Sequence, residues 1–456
     1  MSGRDFLALL PLIMTAGTAI VVMLAITVYR RHWLALTLTL VGLFAGFYAT
    51  LFIAVAQYET PLLPRQVTPL LVIDHYALYY IGLLLATSMV VALLAYGYFR
   101  IRRGIREEFY LLLLLATVGA GVLAASTHFA SFFLGLEILS VSLYAMLAYQ
   151  RNDPLNIEAG IKYLILAGTS SAVILFGMAL VYADQGTMYL LTLLRQVSAG
   201  PTVTPLLLLG VGLILAGMAF KLALVPLHLW TPDVYQGSPA PVTAFIATAS
   251  KGAIFALLLR FFGAFPSLPG FHTLGILIVV LAIASMTVGN FLALRPTNVK
   301  RILAYSSIAH MGYLLVAFLT GGPIRVVAVT FYLTAYFVTI LGAFGVVALL
   351  SVGQREAEEI DDYRGLAWHR PWLAVVMTAM LLSLAGLPLT AGFIGKFLIL
   401  IAGINAKLWA LAIVLILNSG ISIYYYLRIV VAIYAAPEST EGQAAPPALM
   451  PLGGLA

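Results

Sequence analysis

Long apolar runs separated by short polar connections fill the chain from its first residues to about Tyr434. A helix of about 20 apolar residues crosses a bilayer, whereas a membrane barrel would show alternating segments of roughly ten. The pattern therefore predicts an all-α polytopic membrane protein with thirteen transmembrane helices, over residues 5–29, 33–57, 75–99, 107–127, 129–150, 155–184, 204–227, 238–264, 270–294, 297–320, 324–351, 371–403 and 405–436. The first run, Phe6 to Val28, is too long for a signal-peptide core and is read as a retained span. After Ala435 the chain turns polar through Pro437-Glu438-Ser439-Thr440, and Ala444 to Ala456 reads as the start of a truncated last helix.

Composition sharpens this picture. With 456 residues, 62% of them hydrophobic, 9% charged and a mean hydropathy of +1.05, no sizeable water-soluble domain fits. The chain has 0 cysteines, which excludes thiolate-ligated iron–sulfur clusters, cysteine zinc sites, disulfides and a cysteine nucleophile. Any redox chemistry must then belong to a partner. The excess of 24 Lys+Arg over 17 Asp+Glu is first explained by cytoplasmic loops, and no basic-aromatic nucleic-acid module is found. Alternate connections carry Arg30, Arg31, Arg100, Arg102, Arg103, Arg106, Arg151, Arg295, Lys300, Arg301, Arg355, Arg364 and Arg370 on one side, against Arg4, Arg65, Arg195, Arg260, Arg325 and Lys407 on the other. The richer side is assigned to the cytoplasm.

What this sorting leaves inside the spans is the candidate chemistry. Lys162, Lys221, Lys251 and Lys396 fall within predicted helices, and Glu137 is expected to be the one deep carboxylate, the others, including Glu59, Glu441 and the run Glu356 to Asp362, lying at ends or in loops. A charge at mid-bilayer costs roughly 2.5–3.5 kcal/mol on insertion scales, so such groups point to function unless they pair or snorkel. Lys162, about two turns into its helix, is near enough to the interface to snorkel, whereas Lys251 lies in the middle of its run and is not. Two spans look broken, at Leu224-Val225-Pro226-Leu227 beside Lys221, and at Gly386-Leu387-Pro388-Leu389 before Lys396. A proline there removes a donor and is expected to free the Leu222 and Leu384 carbonyls, although a kink without function is the plain alternative. The two breaks lie about 162 residues apart, as two five-helix units inverted in the membrane would require.

All four buried cations are lysine, which burial can neutralise and a nearby carboxylate recharge, whereas arginine would keep its proton. At an effective dielectric near 20, a charge 4 Å away contributes about 4 kcal/mol, enough to load or unload such a site. His228 and His310 are candidate relays, or each simply hydrogen-bonds a carbonyl; His128, His228 and His310 do not match in depth as haem ligands would. Moving a charge against 100 mV costs about 2.3 kcal/mol, yet the chain has neither a phosphate-cradling loop nor a dinucleotide fingerprint. Energy is expected from a second ion gradient or a redox partner.

Three stretches then become recognisable: Leu134 to Tyr144 around Glu137, Glu158 to Gly168 around Lys162, and Phe220-Lys221 through His228, Trp230, Asp233 and Tyr235 to Thr243. With Asn298 to Tyr313 and Leu384 to Lys396 they resemble the antiporter-like membrane subunits of proton-translocating NADH:quinone oxidoreductase, respiratory complex I, and among them the N type, from about residue 75 to 430. The resemblance implies three N-terminal helices over 1–106, inverted five-helix repeats over 107–264 and 270–436, and a tail over 437–456. It implies a proton path in which Glu137 modulates Lys221, Lys251 is the central relay, Lys396 the terminal lysine and Lys162 an additional member. It also implies a bacterial inner-membrane location, membrane and peripheral partner subunits carrying FMN, iron–sulfur clusters and quinone, and no redox centre, cofactor or metal in this chain. Bacterial members usually have fourteen helices, one more than is predicted here. The rival is an Mrp-type cation/proton antiporter subunit, which uses a similar Glu/Lys pair without redox partners.

Overall fold

The computed structural model describes residues 3–56, 64–102, 104, 106–199, 203–263, 270–353 and 355–436. The expectations for Glu59, Arg103, Glu438, Glu441 and the tail 437–456 lie outside them. The described helices are α1 (Gly3–Ala8), α2 (Leu10–Val28), α3 (His32–Ala56), α4 (His75–Arg100), α5 (Glu108–Ala125), α6 (Phe129–Leu147), α7 (Pro154–Gln185), α8 (Leu190–Ala199), α9 (Pro205–Lys221), α10 (Trp230–Gly237), α11 (Ala240–Phe245), α12 (Lys251–Phe262), α13 (His272–Ala293), α14 (Val299–Leu319), α15 (Gly322–Leu350), α16 (Leu366–His369), α17 (Pro371–Ala385), α18 (Ala391–Asn405) and α19 (Trp409–Tyr434). Counting Ala240–Phe262 as one, eleven spans are long and apolar enough to cross a membrane, and Pro205–Lys221, Pro371–Ala385 and Ala391–Asn405 are shorter apolar helices.

Local chemistry sets the boundaries. Asp74, Thr204, Asn298 and Thr390 each accept a backbone N–H of the first turn of the helix they precede, and Asp153 does so ahead of a proline at the first helical position of α7. Apolar side chains such as Leu24, Val41, Leu417 and Trp372 are exposed on the outside of the bundle, as befits helices that span a membrane. Every residue from Ala240 to Leu259 is buried, so the chain of α11 and α12 runs through the middle of the bundle, with α14 beside it almost as enclosed.

Three features depart from the sequence-based expectation. The fold is not wholly helical: Arg65–Val67 and Leu71–Ile73 form a small antiparallel hairpin around Pro69, pairing Arg65 with Ile73 and Val67 with Leu71. The break expected within the span over 371–403 is present: α17 stops at Ala385, where Gly386 takes a left-handed φ of 80°. In both breaks a residue other than glycine also adopts the left-handed region, Ala223 at φ 62° and Leu389 at φ 72°, a conformation that costs about 1–2 kcal/mol and persists only where surrounding packing enforces it. The span over 238–264 contains a wider π turn, Ile246–Ser250, immediately before Lys251.

Candidate functional site

Glu137 sits mid-way along α6, and its Oε1 is buried without a hydrogen-bond partner. Lys221 ends α9, is 4% exposed, and donates to Ser140 Oγ at 2.8 Å, three residues on from Glu137 along α6. Its ammonium lies 5.8 Å from the centre of the Tyr163 ring. No direct ion pair joins Glu137 to Lys221 among the described residues; the lysine bonds the Ser140 hydroxyl instead. The break that follows, 222–229, carries the cis Val225–Pro226 bond and His228, buried with Nδ1 unpartnered.

Lys251 opens α12 at the end of the π turn and is 1% exposed. It donates to Ser307 Oγ on α14 at 2.6 Å, and the same oxygen accepts from Tyr336 at 2.8 Å and meets the Tyr235 hydroxyl at 3.3 Å. One turn further along α14, His310 Nδ1 shares a hydrogen bond with the Tyr332 hydroxyl at 2.6 Å, and Nε2 one with Tyr426 at 3.2 Å. Tyr426 also bonds Ser306, and the His310 and Tyr336 rings lie 5.3 Å apart. His310 is therefore held by two phenols rather than by a backbone carbonyl.

Lys396, on α18, is 5% exposed and donates to Ala385 O at 2.8 Å and to Ser419 Oγ at 2.9 Å, with its ammonium 5.1 Å from the centre of the Tyr313 ring. At the second break Lys396 takes the Ala385 carbonyl, next to the Leu384 carbonyl, to which no backbone N–H bonds among the described residues, as the proline four residues on requires. Tyr313 accepts from Asn290, and Asn290 in turn accepts from Tyr425 beside Tyr426. Lys251, His310 and Lys396 are in this way brought into one polar thread along α14, which Glu137 and Lys221 approach from the side of α6 and α9.

Lys162 is not part of that thread. Its side chain is 40% exposed and pairs with Glu158 at 2.5 Å and Asp233 at 2.9 Å, near the arginine-rich end. Asp233 also takes Arg301 at 3.0 Å. Lys300 and Glu356 lie at a helix end and in a loop as expected, yet both are enclosed: Lys300 is 1% exposed and forms an ion pair with Glu356, which has only 10% of its side chain exposed. Both sit at a helix foot covered by the returning loop, which linear position could not reveal. Arg102, another of the loop set, is 1% exposed, with its guanidinium 3.5 Å from the centre of the Tyr98 ring.

The residues that sequence reasoning missed are mostly phenols: Tyr332, Tyr336 and Tyr426. Tyr332 and Tyr336 lie four apart on α15, hence on one face, and a pair of polar tips on an otherwise apolar helix was the available signal. Among the described residues no group of three or more His, Asp or Glu is placed to hold a metal ion.

Residues 126–422 match the model of the family described as NADH:quinone oxidoreductase/Mrp antiporter, transmembrane. NADH-quinone oxidoreductase subunit N of Ectopseudomonas mendocina is 47% identical over 452 residues, 98% of this chain and 90% of the relative. A chain of respiratory complex I from Thermus thermophilus superposes with a TM-score of 0.80 at 33% identity, covering 96% of this chain and 92% of that one. A chain of the Mrp complex from Dietzia has the same fold, with a TM-score of 0.80 at 22% identity over 96% of this chain and 81% of its own length. Family match, sequence identity and superposition agree: the chain belongs to the NADH:quinone oxidoreductase/Mrp antiporter transmembrane family, as a relative of subunit N of NADH-quinone oxidoreductase.

Proposed function

We propose that this chain is the proton-translocating, multi-pass subunit N of a bacterial inner-membrane NADH:quinone oxidoreductase, moving protons through its buried lysines while partner subunits carry the FMN, iron–sulfur and quinone chemistry. The carrying observation is the thread Lys251–Ser307–Tyr336 beside Tyr332–His310–Tyr426, titratable and hydroxyl groups in succession inside otherwise apolar helices. Hydroxyls suit this task because each both donates and accepts, and an imidazole flanked by two phenols exchanges a proton at either nitrogen. Glu137 and Lys221 form the input pair. At an effective dielectric near 20, closing their separation to 4 Å would stabilise the protonated lysine by about 4 kcal/mol, and opening it would release the proton toward Lys251. Two inverted units, residues 107–264 and 270–436, would each supply one broken helix, with Lys221 and Lys396 at the breaks. Lys162 is a peripheral member, closer to the surface carboxylates than to the axis.

The test is Lys251→Met in the assembled complex. Protons moved per electron should fall sharply while NADH oxidation through the peripheral subunits persists; an unchanged ratio refutes the role of Lys251. An Mrp-type antiporter would instead co-purify without flavin and exchange sodium for protons.

A further inference from the structure

Lys251 reaches Ser307 only if two neighbouring helices keep their relative height; Glu358 joins Gln236 to Asn298 and Lys300, and Glu356 bonds both the first residue of α11 and the foot of α14. Glu356, in the loop after α15, accepts from the backbone N–H of Ala240 at 3.0 Å through Oε1, where it also takes the Tyr98 hydroxyl, and holds the Lys300 ammonium through Oε2. Ala240 is the first residue of α11, eleven residues before Lys251; Lys300 lies in the first turn of α14, seven residues and about 10 Å of helical rise before Ser307. Lys300 adds bonds to the carbonyls of Gln236 at 2.8 Å and Ser238 at 2.7 Å, so the chain entering α11 is fastened to the foot of α14 from both directions. At the far end of α12, Arg260 grips Asp74 with two nitrogens at 2.9 and 2.8 Å and donates to Ala124 O at 3.0 Å. Between these fixed ends lies the π turn Ile246–Ser250, the irregular segment that absorbs any mismatch in length.

We propose that Glu356 is a positioning residue for Lys251: by capping α11 and gripping the foot of α14 with one carboxylate, it sets the register that brings Lys251 to Ser307. The functional part of this inference rests on the proton-translocation reading above, whereas the seating itself does not.

The chain has 0 cysteines, so a Thr248→Cys substitution in the buried π turn gives a single thiol in this subunit, whose rate of reaction with N-ethylmaleimide in the intact complex reads the seating directly. Two charge-free backgrounds are compared, so that neither leaves Lys300 as an unpaired buried cation. Glu356→Gln with Lys300→Met retains an oxygen for the Ala240 N–H but loses the grip on α14, so its labelling rate and protons per electron should lie between those of the Thr248→Cys protein and those of the second background. Glu356→Ala with Lys300→Met has none, and labelling should be at least about tenfold faster, the factor expected when a hydrogen bond that holds the seat is lost. Adding Lys251→Met to that background should lower the proton ratio no further, because both changes act through one residue. Equal labelling in the two backgrounds overturns the proposal, as does a proton ratio that falls independently in each. Normal pumping by Lys251→Met alone would refute the translocation reading and leave the labelling comparison to decide the seating.

Discussion

Replacing Gly386 with alanine perturbs the second break at the point where backbone and lysine meet. The residue holds φ at 80°, where an alanine costs about 1–2 kcal/mol more than glycine. A Cβ there would also stand 2.8 Å from Lys396 Cδ and 3.1 Å from its Nζ, too close for the side chain to stay as it is. Because the obstacle is the end of a flexible side chain, the lysine gives way, and with it the bond to Ala385 O at 2.8 Å. A hydrogen bond from a charged donor is worth about 1.5–3 kcal/mol, so the combined cost is about 2.5–5 kcal/mol, divided between the fold and the position of the ammonium. Reconstituted complex carrying Gly386→Ala should assemble with lowered thermal stability and move fewer protons per electron, approaching Lys396→Met. Native stoichiometry together with native thermal stability would refute the account of this break.

Lys162→Met should leave proton movement nearly unchanged, since half-exposed ion pairs contribute about 0–1 kcal/mol each and Arg301 still holds Asp233; a loss as complete as that of Lys251→Met, measured as protons per electron, would place Lys162 on the path after all. Ser140→Ala takes away the hydroxyl to which Lys221 donates, worth about 1.5–3 kcal/mol to the charged form, and should slow pumping with assembly intact, Ser140→Thr restoring it; wild-type turnover in Ser140→Ala would remove Ser140 from the input pair.

Much of the plan was legible in the sequence because lipid makes a strict grammar. Apolar length marks a helix, and a charge inside one is costly enough to stand out, so Glu137, Lys221, Lys251 and Lys396 were visible without a structure. Two prolines marked the breaks. The phenols around His310 escaped, because tyrosine is at home both at interfaces and in cores, and only the packing of α14, α15 and α19 turns three of them toward one imidazole. The burial of Lys300 against Glu356 escaped for a related reason: 56 residues separate them, and a loop folding back over a helix foot leaves no periodic trace. The π turn was equally silent, since Ile246-Ala247-Thr248-Ala249-Ser250 has no residue that demands a wider coil.

Gly119 on α5 and Gly135 on α6 bring these two helices together main chain against main chain: a methyl group on Gly119 would lie 2.6 Å from Leu139 N and 2.8 Å from Gly135 O. Backbones meshed this closely resist rolling or sliding, so in the proposed input pair a change of separation would come from rotation of the two side chains or from the eight unwound residues, Leu222 to Leu229, that follow Lys221.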